Sequence, residues 1–445
     1  LTVSVSDLSS RLPSPPPYVA PQQALPDAPV LPASAAFQWI NLTALAIMLA
    51  TLFGLRALQW HDDTSALLIV MAAIATPVIA LEWWVRARKA KPQPVSADAG
   101  RLVRVVTKLI GLAATFGAVA FLYWALPVYR EGQLDSLIPL VSLLALPVAV
   151  IAPFYVWITD TRQEVPHDGC YMAGLFVLGR FSAVDFASLR QYALGWLIKA
   201  FFLPLMVADA AYDLRWFLVV DIGASVHAST YGWYEFLYRT FYFLEVTWAG
   251  TGYFLTLRLF DGHIRSAEPT LFGWLICVIC YEPIWSMVSR SYLNYWTDTT
   301  WGGWLDGMPV LKMIWACAII VLLTGFAWAT MSFGIRFSNL THRGILTNGP
   351  YRLTKHPGYL CKNISWWLIY VPFAGGADWA DSLRLSLLLV GVNVIYYLRA
   401  KTEEWHLSRD PVYREYAAWI DEHGLFAKLK RFARLLLQQP ESVRR

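Results

Sequence analysis

Apolar stretches of membrane-spanning length alternate along this chain with short polar segments, and the alternation predicts an all-α, polytopic integral membrane protein. Eight such stretches precede residue 335: about Phe37–Leu55, Ala66–Val85, Val105–Leu126, Leu137–Ile158, Tyr192–Ala208, Trp233–Leu255, Pro269–Val288 and Val310–Gly334. A Trp-rich run from Tyr359 to Arg399, interrupted at Gly375-Gly376-Ala377-Asp378, adds a hairpin of two helices, each about 17 residues and ~26 Å long. The pattern therefore predicts about ten transmembrane helices. A partial span over residues 213–222 leaves nine to eleven open.

The polar segments fix an orientation. Arg86, Arg88, Lys89, Lys91, Arg101 and Arg104 follow the second stretch, residues 159–191 follow the fourth, and Arg258, His263 and Arg265 follow the sixth. His61-Asp62-Asp63 and the acidic set Asp209, Asp213 and Asp221 fall in the alternate loops. Positive loops stay inside, so the basic set, both termini and residues 335–362 are expected on the cytoplasmic side. Hydropathy alone sets these spans, so their agreement with the charge pattern supports them independently. The aromatic loop with Tyr292, Tyr295, Trp296, Trp301 and Trp304 falls outside, and Trp296, Trp301 and Trp304 are expected to form an interfacial belt in preference to a substrate cage.

Flanking segments are of different character. Residues 1–36 carry eight prolines amid Ala, Ser and Val without helical or strand period, which predicts a disordered Pro/Ala-rich tail. After Asp410-Pro411, Tyr413, Tyr416 and Trp419 are spaced three apart and give a soluble helix one aromatic face, suited to the membrane surface or to covering a ligand. Residues 428–445 form a basic tail with Lys430, Arg431, Arg434, Arg444 and Arg445, expected against anionic headgroups.

Composition agrees with the pattern: 57% hydrophobic, 15% charged and 22 Trp in 445 residues exclude an ordinary soluble domain. The net charge of +5 is modest and concentrated on one side, which speaks for topology and anionic lipid and against nucleic acid. Five cysteines are present, and Cys277-x-x-Cys280 lies inside an apolar stretch, where packing is the expected role. No His/Cys/carboxylate cluster has metal-ligand spacing, and no Walker, Gly-x-Gly-x-x-Gly or Gly-x-Ser-x-Gly motif occurs. Asn-x-Ser/Thr sequons at Asn41, Asn339 and Asn363 fall in or beside spans or inside and are read as chance.

The informative polar stretch is residues 343–359, with Arg343, Arg352, Lys355 and His356, turn chemistry at Asn348-Gly349-Pro350 and a break at His356-Pro357. A basic, turn-rich segment between membrane-length helices must lie at the membrane surface. The hairpin returns Arg399 to the same side, and Arg399 and Glu403, four apart, share a helix face.

Gly349-Pro350-Tyr351, Lys355-His356-Pro357-x-Tyr359 and then Arg399-x-x-x-Glu403-Glu404 after a hydrophobic hairpin resemble the isoprenylcysteine carboxyl methyltransferase family, membrane methyltransferases akin to phospholipid methyltransferases. The resemblance covers roughly residues 309–425 and delimits a methyltransferase-like core, 309–427, behind an N-terminal transmembrane region, 37–308, expected to hold the acceptor. Lys355 departs from the family's usual Arg and cannot make a planar bidentate contact. The resemblance implies S-adenosylmethionine as cofactor, contacted by Ile345, Leu346, Tyr351, His356, Pro357, Gly358, Tyr359 and Glu403, with Arg399 orienting the acceptor.

Methyl transfer from a sulfonium is an in-line displacement that needs chiefly positioning in a dry site. Glu403 suits the cofactor's amino group or ribose. His356, Lys355 and backbone amides suit its carboxylate, and Tyr351 and Tyr359 can flank adenine or sulfonium. The acceptor, a lipid or prenylated molecule, is not named by the sequence. A carboxylate would be held by Arg399, whereas an amine or hydroxyl would call for a base such as Glu404 or Glu282. The excess spans are expected to shape an apolar, laterally open tunnel that meets the cofactor cleft near Arg399. Two other readings stay open: an NADPH-dependent sterol or lipid double-bond reductase of similar membrane plan, and a non-catalytic scaffold.

Among polar residues inside stretches, Lys199, Glu235, Arg239, Glu245 and Glu282 stand out because intramembrane charge is costly. Glu235 and Arg239 are spaced to pair, and Glu282, beside Pro283, is a candidate for the acceptor pocket.

Overall fold

The computed structural model describes residues 30–87, 100–130, 132, 134–163, 165–229 and 231–437. The described chain is mostly helical, and seven of its helices are long and apolar enough to cross a membrane. These are α1 (Gln38–Ala57), α2 (Asp63–Ala87), α3 (Arg101–Ala125), α4 (Leu137–Asp160), α6 (Phe186–Val219), α12 (Pro309–Met331) and α14 (Trp379–Leu407). Between them lie α5 (Gly169–Val177), α7 (Ile222–His227), α8 (Gly232–Phe254), α9 (Leu271–Val278), α10 (Ile284–Ser291), α11 (Trp301–Trp304) and α13 (Pro357–Tyr370), followed by α15 (Pro411–His423) and α16 (Leu425–Leu437).

The largest core joins α1, α2, α6, α8 and α12 around Ile40, Met48, Leu67, Ile74, Leu214, Phe243 and Trp248. α8 is its hinge-pin: it packs on α2, α6 and α12 despite carrying Glu235, Arg239 and Glu245. α13 packs on α12 and α14, and α9 on α14, so the C-terminal hairpin leans against the N-terminal body instead of standing apart. Where helices approach most closely, glycine makes room. A Cβ at Gly174 of α5 would lie 1.9 Å from the Thr107 carbonyl oxygen of α3, and one at Gly111 would lie 2.3 Å from the Cys170 oxygen.

Three expected elements differ. The fifth stretch does not exit at Ala208; α6 runs on for 34 residues, about 51 Å, to Val219. Its acidic end is matched: Asp213 pairs with Arg239 at 3.1 Å, and Arg215 with Asp63 at 2.5 Å. The expected Glu235–Arg239 pair is therefore replaced by Asp213–Arg239, because α6 brings a carboxylate closer than the helix's own next turn. The seventh stretch is two short helices, α9 and α10, broken between Val278 and Ile284 where Pro283 cannot donate a backbone hydrogen bond. The hairpin is unequal: α13 has 14 residues and α14 has 29, joined by a turn with Val371 at φ 39° and closed by the Asp378 side chain accepting from the Asp381 N–H at 2.8 Å.

The aromatic loop is partly core. Trp301 of α11 is buried against Tyr234 of α8, ring centroids 4.7 Å apart, which removes it from the expected belt.

At the other end of the bundle the chain is polar and tightly tied. Arg336, 1% exposed, makes a two-pronged pair with Glu82 at 2.8 and 2.6 Å, and Asp261 joins Arg86 and Arg265 beside it. Burial pushes Asp261 up, but the guanidinium groups of Arg336, Arg265 and Arg86 outweigh it and hold the carboxyl below its usual range. Arg343 is buried and donates to the carbonyls of Gly262, Gly252, Phe337, Leu255 and Ile335. A two-residue ribbon, β1 (Ser266–Ala267) against β2 (Thr341–His342), pairs Ser266 with His342.

The expected tail of residues 1–36 lies outside the described residues up to 29. Its last residues are docked: the Ala35 N–H donates to Ile345 O at 2.8 Å, Thr347 Oγ1 to Pro32 O at 2.8 Å, and Asn348 Nδ2 to Ala36 O at 2.7 Å. The expected basic tail is helical as far as Leu437 of α16, and residues 438–445 lie outside the described residues.

Candidate functional site

The C-terminal ends of α12 and α14, the N-terminal end of α13 and the 338–346 loop converge on one cavity. Pro350 opens a short turn over Gly349–Arg352, and Gly349 holds φ 56°, where a Cβ would also strike the Gln38 side chain at 2.8 Å. That turn sets the Tyr351 ring edge-on to Phe333 at 5.5 Å. Pro357 starts α13 at a position that needs no N–H. It leaves His356 just outside the helix, with its ring stacked on Tyr359 at 5.5 Å and 6°.

α14 supplies the opposing wall. Glu403 Oε1 accepts from the Tyr359 hydroxyl and from Arg399 Nε at 3.4 Å, while Oε2 faces His356 Nδ1 at 3.7 Å. Arg399, 3% exposed, also donates through Nη2 to Asn339 Oδ1 at 2.6 Å and to the Tyr281 hydroxyl at 3.1 Å. Asn339 Nδ2 donates in turn to Tyr281 at 2.9 Å. The guanidinium lies over the rings of Tyr359 and Tyr281, 5.0 and 5.2 Å from their centroids.

Of the residues expected at the site, Ile345, Leu346, Tyr351, Lys355, His356, Gly358, Tyr359, Arg399 and Glu403 line the cavity. Two sit differently. Pro357 is buried at the helix start behind the lining. Glu404 faces away from the cavity, with His356 Nε2 at 3.2 Å and Lys401 Nζ at 2.9 Å, because on a helix the next residue after Glu403 points about 100° around. Glu404 therefore reaches the cavity through His356. Lys355 lines the cavity but is tied to Asp421 of α15 at 2.8 Å. Glu282 is exposed and accepts from Ser286 at 2.7 Å, away from the cavity lining.

α15 roofs the site. Tyr413, Tyr416 and Ile420 are buried with Ile345, and Tyr351 packs against them. The Tyr416 hydroxyl donates to Tyr351 O at 2.7 Å. The aromatic face legible in the sequence thus covers the cavity.

Several lining residues carry no sequence signal of their own: Tyr281, Phe333, Asn339 and Tyr396. Glu245 is legible in the sequence only as an intramembrane charge, without a place in the site. Asn339 sits in a sequon, which conceals its role as Arg399's partner. Ser266 Oγ lies 3.0 Å from His406 Nε2, and Glu268 3.4 Å from His406 Nδ1, at the rim. His342, 3.2 Å from Asp410, is brought down to about 4 by burial, with Arg265 and His406 adding to it against Asp410.

At its deep end the cavity reaches Phe326, Ala329, Thr330 and Glu245. A separate groove lined by Asp213, Tyr234, Glu235, Tyr238, Arg239, Tyr242 and Ile369 lies farther along α8. Tyr242 and Phe326, ring centroids 6.0 Å apart, stand between the two.

No family model, curated protein or solved structure matches this chain.

Proposed function

We propose that the protein is an S-adenosylmethionine-dependent membrane methyltransferase acting on a lipid or prenylated acceptor at the cytoplasmic face. The observation that carries this reading is Glu403. Its Oε1 is occupied by Tyr359 and Arg399, whereas Oε2 has His356 at 3.7 Å and room for an ammonium or a ribose hydroxyl. The stacked His356–Tyr359 pair beside it and the Tyr351 ring offer π faces to a sulfonium and an adenine. The cofactor carries two positive groups and one carboxylate, and the cavity favours such a ligand over a polyanion. Of its cations, Arg336 is held by Glu82, Arg343 by carbonyls, Arg399 by Asn339 and Glu403, and Lys355 by Asp421, which leaves Lys362 as the lysine or arginine of the described lining without a hydrogen-bonded or ion-paired partner.

In this reading the bundle has ten crossings: the seven long helices together with α8, α13 and the broken α9–α10 pair. Arg86, Arg104, Arg258, Arg265 and Arg336 cluster at the cavity end, and Asp63, Asp221, Asp306 and Asp378 at the other, which supports a cytoplasmic cavity. His356, Tyr359 and Glu403 would hold the cofactor, with Arg399 fixing Glu403 and the acceptor side of the pocket. Catalysis then consists of positioning the methyl carbon against the acceptor in a water-poor site.

Calorimetric titration of the purified protein in nanodiscs tests this. S-adenosylmethionine should bind and NADPH should not. Binding of NADPH alone would establish the reductase reading, and binding of neither the scaffold reading.

A further inference from the structure

Two ionisable side chains of the cavity have no assigned task. Glu245 comes from α8, in the N-terminal body outside the methyltransferase-like core, and Lys362 is one turn below Tyr359 on α13. Both line the cavity that holds Tyr359, Arg399 and Glu403. Glu245 receives one long contact, from the Thr330 hydroxyl at 3.5 Å. The Lys362 ammonium lies over the rings of Phe326, Trp366 and Tyr396 at 5.2, 5.4 and 5.8 Å. Among the described residues it has no hydrogen-bond acceptor or carboxylate partner, and the two groups lie beyond ion-pairing distance of each other. A carboxylate and an ammonium at membrane depth, within electrostatic reach of each other but not in contact, form a site complementary to a ligand with both charges.

Resting on the methyltransferase reading, we propose that Glu245 and Lys362 form the acceptor-head subsite, and that the acceptor is an amphiphile whose head carries a primary amine beside an anionic oxygen. Glu245 receives the amine and Lys362 the anionic oxygen, with the tail leaving past Phe326 toward α8. An amine suits Glu245 better than a hydroxyl. In a low-dielectric pocket an ammonium and a carboxylate exchange a proton at small cost, whereas an aliphatic alcohol is far too weak an acid for a carboxylate to deprotonate. The step balances: Glu245 takes one proton from the ammonium and frees the nitrogen lone pair, and that pair forms the N–CH3 bond. The S–CH3 bond breaks with its electrons going to sulfur, leaving a neutral thioether and a methylammonium. The proton on Glu245 returns to water as product leaves.

The test uses the full chain in nanodiscs doped with one of three lipids: phosphatidylethanolamine, the same lipid N-acetylated, or phosphatidylglycerol, with farnesylcysteine as a carboxylate control. Methyl label from S-adenosylmethionine should pass to the free amine lipid and to none of the others. Glu245→Gln should lower transfer by roughly a hundredfold while cofactor affinity stays within about twofold. Lys362→Met should raise the KM for the amine lipid roughly tenfold, with a smaller effect on kcat. Label on farnesylcysteine or phosphatidylglycerol overturns the proposal, as does full transfer by Glu245→Gln. Lipid retention read by native mass spectrometry separates this from failure of the methyltransferase reading. Should the cofactor not bind, selective retention of the amine lipid by wild type and its loss in Glu245→Gln still support the subsite, and equal retention of all three lipids defeats it.

Discussion

Glu403 and Arg399 act as one unit, and their variants should separate. Glu403→Ala removes the carboxylate proposed to receive the cofactor. A charge-assisted contact is worth about 1.5–3 kcal/mol, so affinity for S-adenosylmethionine should fall roughly ten- to a hundredfold. Unchanged binding in a folded Glu403→Ala protein would contradict the assignment. Asn339→Ala leaves Arg399 Nη2 without its 2.6 Å acceptor in a buried site. It should cost about 1–3 kcal/mol of stability and slow turnover more than it weakens cofactor binding. His342 gives a pH signature. Its folded pKa of about 4 lies below the ordinary value of 6.5, so the unfolded chain binds the extra proton and stability falls as pH drops from about 6.5 toward 4. The melting temperature should decline over that window, and less steeply in His342→Gln; identical profiles would assign the decline to other groups.

Individual elements behave in ways the residues alone do not announce. Residues 32–36 strap the 345–348 loop through one backbone bond, Ala35 N–H to Ile345 O, and through the side chains of Thr347, Asn348 and Ser34. Gly344, at φ 122°, passes where a Cβ would come within 2.6 Å of Ala35 Cβ. Gly344→Ala should lift the strap and disturb Ile345 and Leu346, lowering cofactor affinity several-fold, roughly 1 kcal/mol, without unfolding the bundle. Amide exchange at residues 345–348 would rise with it. α16 exposes Phe426, Leu429 and Phe432, 53%, 51% and 60% accessible, between Lys428, Lys430 and Arg431. Such a helix lies in the headgroup plane. Its amides should exchange more slowly in nanodiscs of anionic lipid than in neutral ones, and equal rates would place it in water.

For the whole molecule, the proposed ten-crossing arrangement predicts that cysteines at Ser182 and Ser408 label from one face and one at Thr299 from the other. Labelling of Ser182 and Ser408 from opposite faces would sink it. The sequence by itself determined the helical membrane class and the convergence of residues 343–359 with Arg399 and Glu403. Length and hydropathy are local properties, and a hairpin of fixed rise returns its ends to one side whatever surrounds it. It also carried the aromatic face of α15, since a three-residue spacing survives any packing. The tertiary structure decided what depends on neighbours distant in the chain. Arg239 meets Asp213 because α6 continues as helix past Ala208. Glu404 turns from the cavity because the phase of α14 is set by Glu403 packing on Tyr359. Asn339, Tyr281, Glu245 and Lys362 enter the site from four separate segments. Hydropathy reports each segment's need to be buried, but not which other segment buries it, and so the body that shapes the cavity was legible only in three dimensions.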